Sequence, residues 1–117
     1  DRVLLVKRKF PPRERYWGLP AGFIEYHESV EETALREVKE ETNLDIKLKG
    51  LYGIYSVTDD PDKHVILIVF RGEILQGDLR PGDDAVDARF FPLDELPKDI
   101  AFSTHRAILN ELNSKKA

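Results

Sequence analysis

Cysteine is absent from this 117-residue chain, and so is methionine. The first absence excludes disulfides and thiolate metal sites outright. The second, with Asp1 leading almost at once into the apolar run Val3-Leu4-Leu5-Val6, implies that the natural start, and with it an N-terminal strand, is missing. Positive charge is in deficit too: 18 Lys and Arg stand against 22 Asp and Glu, for a net charge of −4. A nucleic-acid partner needs a basic surface that displaces counterions, so none is expected. No apolar run approaches the ~18 residues of a membrane span and no signal peptide shows, so no membrane partner is expected and a cytoplasmic location is the default. What remains is a polar, globular composition, 41% hydrophobic and 34% charged, expected to form a single domain over residues 1–117.

The chain shows no repeat, no low-complexity segment and no linker. Val3 to Lys7 reads as a strand, followed by a Pro- and Arg-rich loop from Phe10 to Arg15 and a short strand from Tyr16 to Leu19. Ser29 with Glu32 three residues on has the form of a capping box, which starts a helix at Val30. That helix should end near Thr42, with Asn43 as a left-handed cap. Ile46 to Val57 reads as a strand interrupted by glycines, and Thr58 to Asp62 as a turn. The run His64 to Phe70 (HVILIVF) has the pattern of a strand covered on both faces. A loop at Pro81-Gly82-Asp83-Asp84, a short strand from Ala88 to Phe91 and a closing helix from Ser103 to Leu112 complete the reading. These elements predict an α/β fold, an α/β/α sandwich.

Acidic residues crowd the first helix. At roughly 100° per residue, Val30, Ala34, Val38 and Leu35 span an apolar arc. Glu41 falls inside the edge of that arc, Glu37 just outside it, and Glu40 further round on the same side. A solvated charge run would lie opposite the apolar stripe, whereas these carboxylates flank it. Like charges at such spacing repel, and partial burial adds to the cost. Hard oxygen ligands at this density suit Mg²⁺ or Mn²⁺.

The spacing carries more. Gly22 is followed by five residues and Glu28, then seven residues and Arg36-Glu37-Val38, one residue and Glu40-Glu41, one residue and Asn43-Leu44. This resembles the Nudix box, Gly-x5-Glu-x7-Arg-Glu-U-x-Glu-Glu-x-Gly-U with U aliphatic. Every fixed position matches except the last glycine, here Asn43, itself tolerant of positive φ. The resemblance implies a Nudix-like sandwich with a mixed central sheet. It implies a hydrolase that cleaves a nucleoside diphosphate linked to another moiety, with Mg²⁺ as cofactor and Mn²⁺ as substitute. By the same resemblance Glu37, Glu40 and Glu41, with a backbone carbonyl in Ala21-Gly22, would ligate the cation. Glu28 and Arg36 would be structural, Arg36 tying the loop carboxylate to the helix. Glu40 and Glu41 would then be catalytic, and the general base would come from the helix or from a later loop, where Asp84 is preferred over Asp83.

For substrate, the LPAG before the box, Pro61, the GDDA loop and the AFSTHRAIL segment resemble the ADP-ribose pyrophosphatase branch. The expected reaction is therefore ADP-ribose and water to AMP and ribose 5-phosphate. Trp17 and Arg8 are the substrate-binding candidates. Trp17, Tyr52 and Tyr55 could stack an adenine or belong to the core. Lys7, Arg8, Lys9, Arg13 and Arg15 could steer a diphosphate or form a solvated strand end. His105 reads as a surface or capping residue. The rival functions are a house-cleaning nucleoside triphosphate pyrophosphohydrolase and a non-catalytic nucleotide-binding module. A homodimer is an open expectation.

Overall fold

Why the first helix starts and stops where it does is visible in its ends. In the computed structural model, which describes residues 2–116, helix α1 runs Val30–Thr42. Ser29 adopts an extended conformation and accepts from the Glu32 amide, while the Glu32 carboxylate accepts from the Ser29 amide, closing the expected capping box. At the other end Asn43 has φ 66° and ψ 10°, and its backbone N–H donates to the Lys39 carbonyl. Its side-chain amide donates to the Asp78 carbonyl at 2.9 Å, so this asparagine both turns the chain and pins the 78–82 segment.

The strands are β1 (Arg2–Arg8), β2 (Trp17–Gly18), β3 (Asp45–Val57), β4 (Val65–Gln76) and β5 (Ala85–Pro92), and helix α2 (Ser103–Lys116) closes the chain. They form two antiparallel sheets, one ordered β2-β1-β5 and one pairing β3 with β4. The α/β class is as expected; of the mixed sheet, parallel pairing among the described residues is confined to a bridge between Trp17 and Ile100. The short loops from β1 to β2 and from β3 to β4 favour antiparallel pairing, because a parallel pair needs a long crossover, while β5 returns antiparallel beside β1 from the far end of the chain. Register shifts in β3 fall at Leu48/Gly50 and Leu51/Gly53, where the glycines interrupt the apolar pattern. Asp1 and Ala117 of the expected 1–117 domain lie outside the described residues.

The core gathers Leu5 from β1, Trp17 from β2, Ile100 from the segment before α2 and Leu109 from α2, with Val3, Leu19, Phe91, Leu96 and Leu112 packed around it. Helix α1 packs on β3 and β5, and α2 on β3. One expectation is corrected: the HVILIVF run is not covered on both faces. Ile66 is 72% exposed, and Leu51 and Ile54 on β3 are 56% and 62% exposed. The physical reason is the separate two-stranded β3–β4 sheet, which leaves these side chains in the open.

The cap gives the first prediction. Asn43→Val forces a β-branched residue into the left-handed region and removes the bond to Asp78, and should cost about 1 kcal/mol or more. Asn43→Gly keeps the turn and loses only the side-chain bond, at a cost of no more than about 1 kcal/mol. Denaturant or thermal melts check both, and a valine variant with the wild-type Tm would contradict the cap.

Candidate active site

Two short loops close on the last turn of α1, and each is fixed by its own sequence. The first is Leu19-Pro20-Ala21-Gly22. Ala21 N–H donates to the Glu41 Oε2 at 2.9 Å. Gly22 lies directly on the Glu37 carboxyl, so closely that a Cβ built there would overlap it. A larger residue there would have to displace the Glu37 carboxyl from this position. The second loop is Asp78 to Asp84. Arg80 N–H donates to the Thr42 carbonyl at 3.0 Å and Gly82 N–H to the Glu41 carbonyl at 2.9 Å. Those are carbonyls that a helix end leaves without intrahelical partners. Gly82 is as tightly placed as Gly22, since a Cβ there would overlap the Glu40 carbonyl oxygen.

Arg36 holds the base of the site. Its Nε donates to Glu28 Oε2 at 2.5 Å and its Nη2 to Glu28 Oε1 at 3.0 Å, a bidentate pair that places the loop acid against the helix. Nη2 also donates to the Phe23 carbonyl, and Nη1 reaches Glu37 Oε1 at 2.5 Å and Glu40 Oε1 at 3.2 Å. Glu28 accepts further bonds from Glu25 N–H and the Thr33 hydroxyl. The Arg36 bonds chiefly, with the Glu25 amide, bring its carboxyl down to about 2. Glu28 and Arg36 thus form the loop-to-helix tie that the sequence suggested.

Glu41 is the contrasting case. Burial pushes its carboxyl up to about 8, helped by the like charges of Glu37 and Asp84 and opposed by the Ala21 amide. It also sits in the last helical turn, where the dipole disfavours an anion. No basic side chain forms an ion pair with Glu41 among the described residues. The chain therefore concentrates uncompensated acid at one point.

The structure brings together Ala21, Gly22, Glu37 and Glu41, with Asp84 close enough for its charge to act on Glu41. Glu40 lies on the outer side, 57% exposed and turned to Arg36. Among the described residues no group of three acids or imidazoles is already gathered around a cation position. The donor set nevertheless fits a hard divalent cation. Mg²⁺ is commonly held by one or two carboxylates and completed by water and substrate phosphates. Glu37 and Glu41, a half-buried acid pair beside a glycine that leaves room, supply that minimum.

Two expectations are corrected or narrowed. Trp17 is 7% exposed, packed in the core with its ring edge-on to Phe91 at 4.9 Å between centroids, so it is not placed to stack a base. An aromatic on a two-residue strand between β1 and the Ile100 bridge has both faces covered by the fold. Arg8 donates from Nε to the Pro12 carbonyl at 2.8 Å and lies over the Phe102 ring, so its head group is engaged within its own surroundings. The strand end that carries it does reach the second loop, because Lys9 N–H donates to the Asp84 carbonyl at 3.1 Å. Tyr52 is bonded through its hydroxyl to Glu111 and flanked by Arg71 and Lys115. Sequence reasoning missed Gly82 and Arg80 as caps of α1; the PGDD turn was their only signal. The reading of His105 as a surface or capping residue is corrected: it is 5% exposed and accepts from the Leu19 amide.

The chain belongs to the NUDIX family, whose domain model matches residues 1–112. It is 47% identical over 116 residues to the ADP-ribose pyrophosphatase of Methanocaldococcus jannaschii, covering 98% of this chain and 68% of that protein. It is 38% identical to the ADP-sugar pyrophosphatase of Mus musculus over 83% of this chain and 46% of that one. A crystal structure of a NUDIX hydrolase from Nitrosomonas europaea superposes with a TM-score of 0.89 at 34% identity, covering 98% of this chain and 64% of the other. The chain thus spans between about half and two thirds of the length of these relatives. NUDIX hydrolases generally use divalent metal ions. No helix among the described residues is long and apolar enough to cross a membrane.

The raised Glu41 acid gives the second prediction. A carboxyl lifted from 4.5 to about 8 in the fold contributes stability that is complete below pH 4.5 and lost as pH rises through about 8. Glu41→Gln should flatten that slope in the cation-free protein and raise Tm at pH 8. Mg²⁺ should raise the wild-type Tm at pH 8 and leave the variant nearly unmoved, and activity should fall by about 100-fold or more. Thermal scans from pH 4 to 9, with and without Mg²⁺, check the sign. A variant with wild-type turnover would remove Glu41 from the site.

Proposed function

We propose that residues 1–117 act as one catalytic domain that hydrolyses a nucleoside diphosphate joined to another moiety, with ADP-ribose as substrate and AMP and ribose 5-phosphate as products. The observation that carries the reaction class is the half-buried Glu41 carboxyl, pressed against Glu37 and within reach of the Asp84 charge, with no basic partner of its own among the described residues. The substrate rests on the likeness to ADP-ribose and ADP-sugar pyrophosphatases.

Glu37, Glu40, Glu41 and the Ala21-Gly22 backbone would hold Mg²⁺, with Mn²⁺ as substitute. When bound, the cation neutralises the diphosphate and lowers the barrier to attack by water. The chain's own residues do the rest. Glu28 and Arg36 hold the loop on the helix, Gly22 keeps the Glu37 carboxyl uncrowded, and the Gly82 and Arg80 amides fix the second loop. Asp84, exposed at the end of that loop, is the proposed base and takes the proton of the attacking water on its carboxylate. The oxygen of that water becomes part of one phosphate product, and the diphosphate bridge breaks. The exposed Leu51, Ile54 and Ile66 support a homodimer as the partner.

Competition decides the substrate. ADP-ribose should exceed NADH, diadenosine polyphosphates and oxidised nucleoside triphosphates in kcat/KM, with AMP and ribose 5-phosphate as products. Hydrolysis in ¹⁸O-water identifies the phosphorus attacked. A triphosphate that wins by about tenfold, releasing pyrophosphate, would replace the substrate and keep the reaction class. No turnover of any diphosphate with Mg²⁺ or Mn²⁺ would replace catalysis with nucleotide binding.

A further inference from the structure

The chain between the core and the acid pair is short, and its anchoring is uneven. Trp17 is held on both sides of its peptide, its N–H donating to the Asp99 carbonyl and its carbonyl accepting from Ala101 N–H, each at 2.7 Å. Ala21 is held by Glu41. Between β2 and Ala21 lie only Leu19 and Pro20, and proline has no N–H. The Leu19 amide is thus the sole backbone donor of that span, and it donates to His105 Nδ1 at 3.1 Å, from a residue 86 positions away.

His105 is built to receive it. It lies in the first turn of α2, which is set by Ser103, whose N–H and hydroxyl donate to Asp59 at 3.1 Å and 2.8 Å. The ring packs edge-on to Phe102 at 5.2 Å between centroids. On its other side a Cβ at Gly18 would stand 3.2 Å from Nδ1, so β2 closes directly onto the imidazole. Burial, with the charge of Arg8, holds the imidazole down at about 4 against the opposing pull of Asp59. A neutral ring that accepts at Nδ1 carries its proton on Nε2.

We infer that His105 is a positioning residue for the cation loop: by accepting the Leu19 amide it sets where Ala21 and Gly22 meet Glu41 and Glu37. The inference rests on the reading of that acid cluster as the cation site. The imidazole touches no acid of the cluster itself; it acts through three residues of backbone. A packing role alone would be filled by any apolar side chain of similar size. A positioning role requires an acceptor at the depth of Nδ1, which the amide oxygen of asparagine matches and that of glutamine, one bond further out, does not.

The test compares His105→Asn, His105→Gln and His105→Leu in the otherwise unaltered protein. Mn²⁺ binding is measured by calorimetry without substrate, and Leu19 amide exchange by NMR. His105→Gln and His105→Leu should weaken Mn²⁺ binding by about tenfold or more and expose the Leu19 amide, while His105→Asn stays within about threefold of wild type. If the leucine variant does not fold, the asparagine and glutamine variants still decide, since they differ only in acceptor depth. Wild-type Mn²⁺ affinity in a folded leucine or glutamine variant would overturn the inference and leave the site standing. A wild-type protein that binds no Mn²⁺ would overturn both, by removing the site on which the inference rests.

Discussion

The crowding of Glu41 against Glu37 at the last turn of α1 is the constraint around which this domain is arranged. A half-buried carboxylate without a basic partner is costly, and the wrong end of the helix dipole adds to that cost. The fold answers with protonation, one amide from Ala21 and, in the proposed working state, a divalent cation. Arg36 is near enough to neutralise the whole cluster, yet its strongest engagement is with Glu28. That division keeps Glu28 fully ionised and structural, and keeps Glu41 unpaired and available.

The same constraint explains why two separate loops converge on one helix end. The C-terminal carbonyls of α1 need donors, and the 78–84 loop supplies them through Arg80 and Gly82 while delivering Asp84. The 19–22 loop supplies the Ala21 amide and the close approach of Gly22. Asn43 joins these two demands, since its left-handed turn ends the helix and its side chain holds the second loop. Stability and chemistry are therefore coupled here: loosening the 78–84 loop frees helix carbonyls as well as Asp84, and loosening the 19–22 loop frees the Glu41 carboxylate from its amide.

How much of this could be read from the sequence differs by element. Helix α1 was legible to the residue, because a capping box, an apolar arc and an Asn cap are local signals. The Glu28–Arg36 tie and the acid pair were legible from spacing and its resemblance to the Nudix box. The strand at HVILIVF was legible as a strand and misjudged in burial, since an apolar run does not say how many faces the fold covers. Trp17 was misjudged for a related reason: an aromatic near a site motif looks the same whether it lines the site or supports it from the core. His105 was misread as a surface residue and Gly82 escaped notice because their partners lie 86 and about 41 positions away in the chain, and no local pattern marks such contacts.

An anomalous-scattering map from crystals soaked in Mn²⁺ tests the central claim most directly. The account predicts a peak within coordinating reach of the Glu37 and Glu41 carboxylates and the Ala21-Gly22 backbone, with Arg36 still clamped on Glu28. Well-diffracting Mn²⁺ crystals with no peak there, and Glu41 still bonded to Ala21 as it is here, would contradict it.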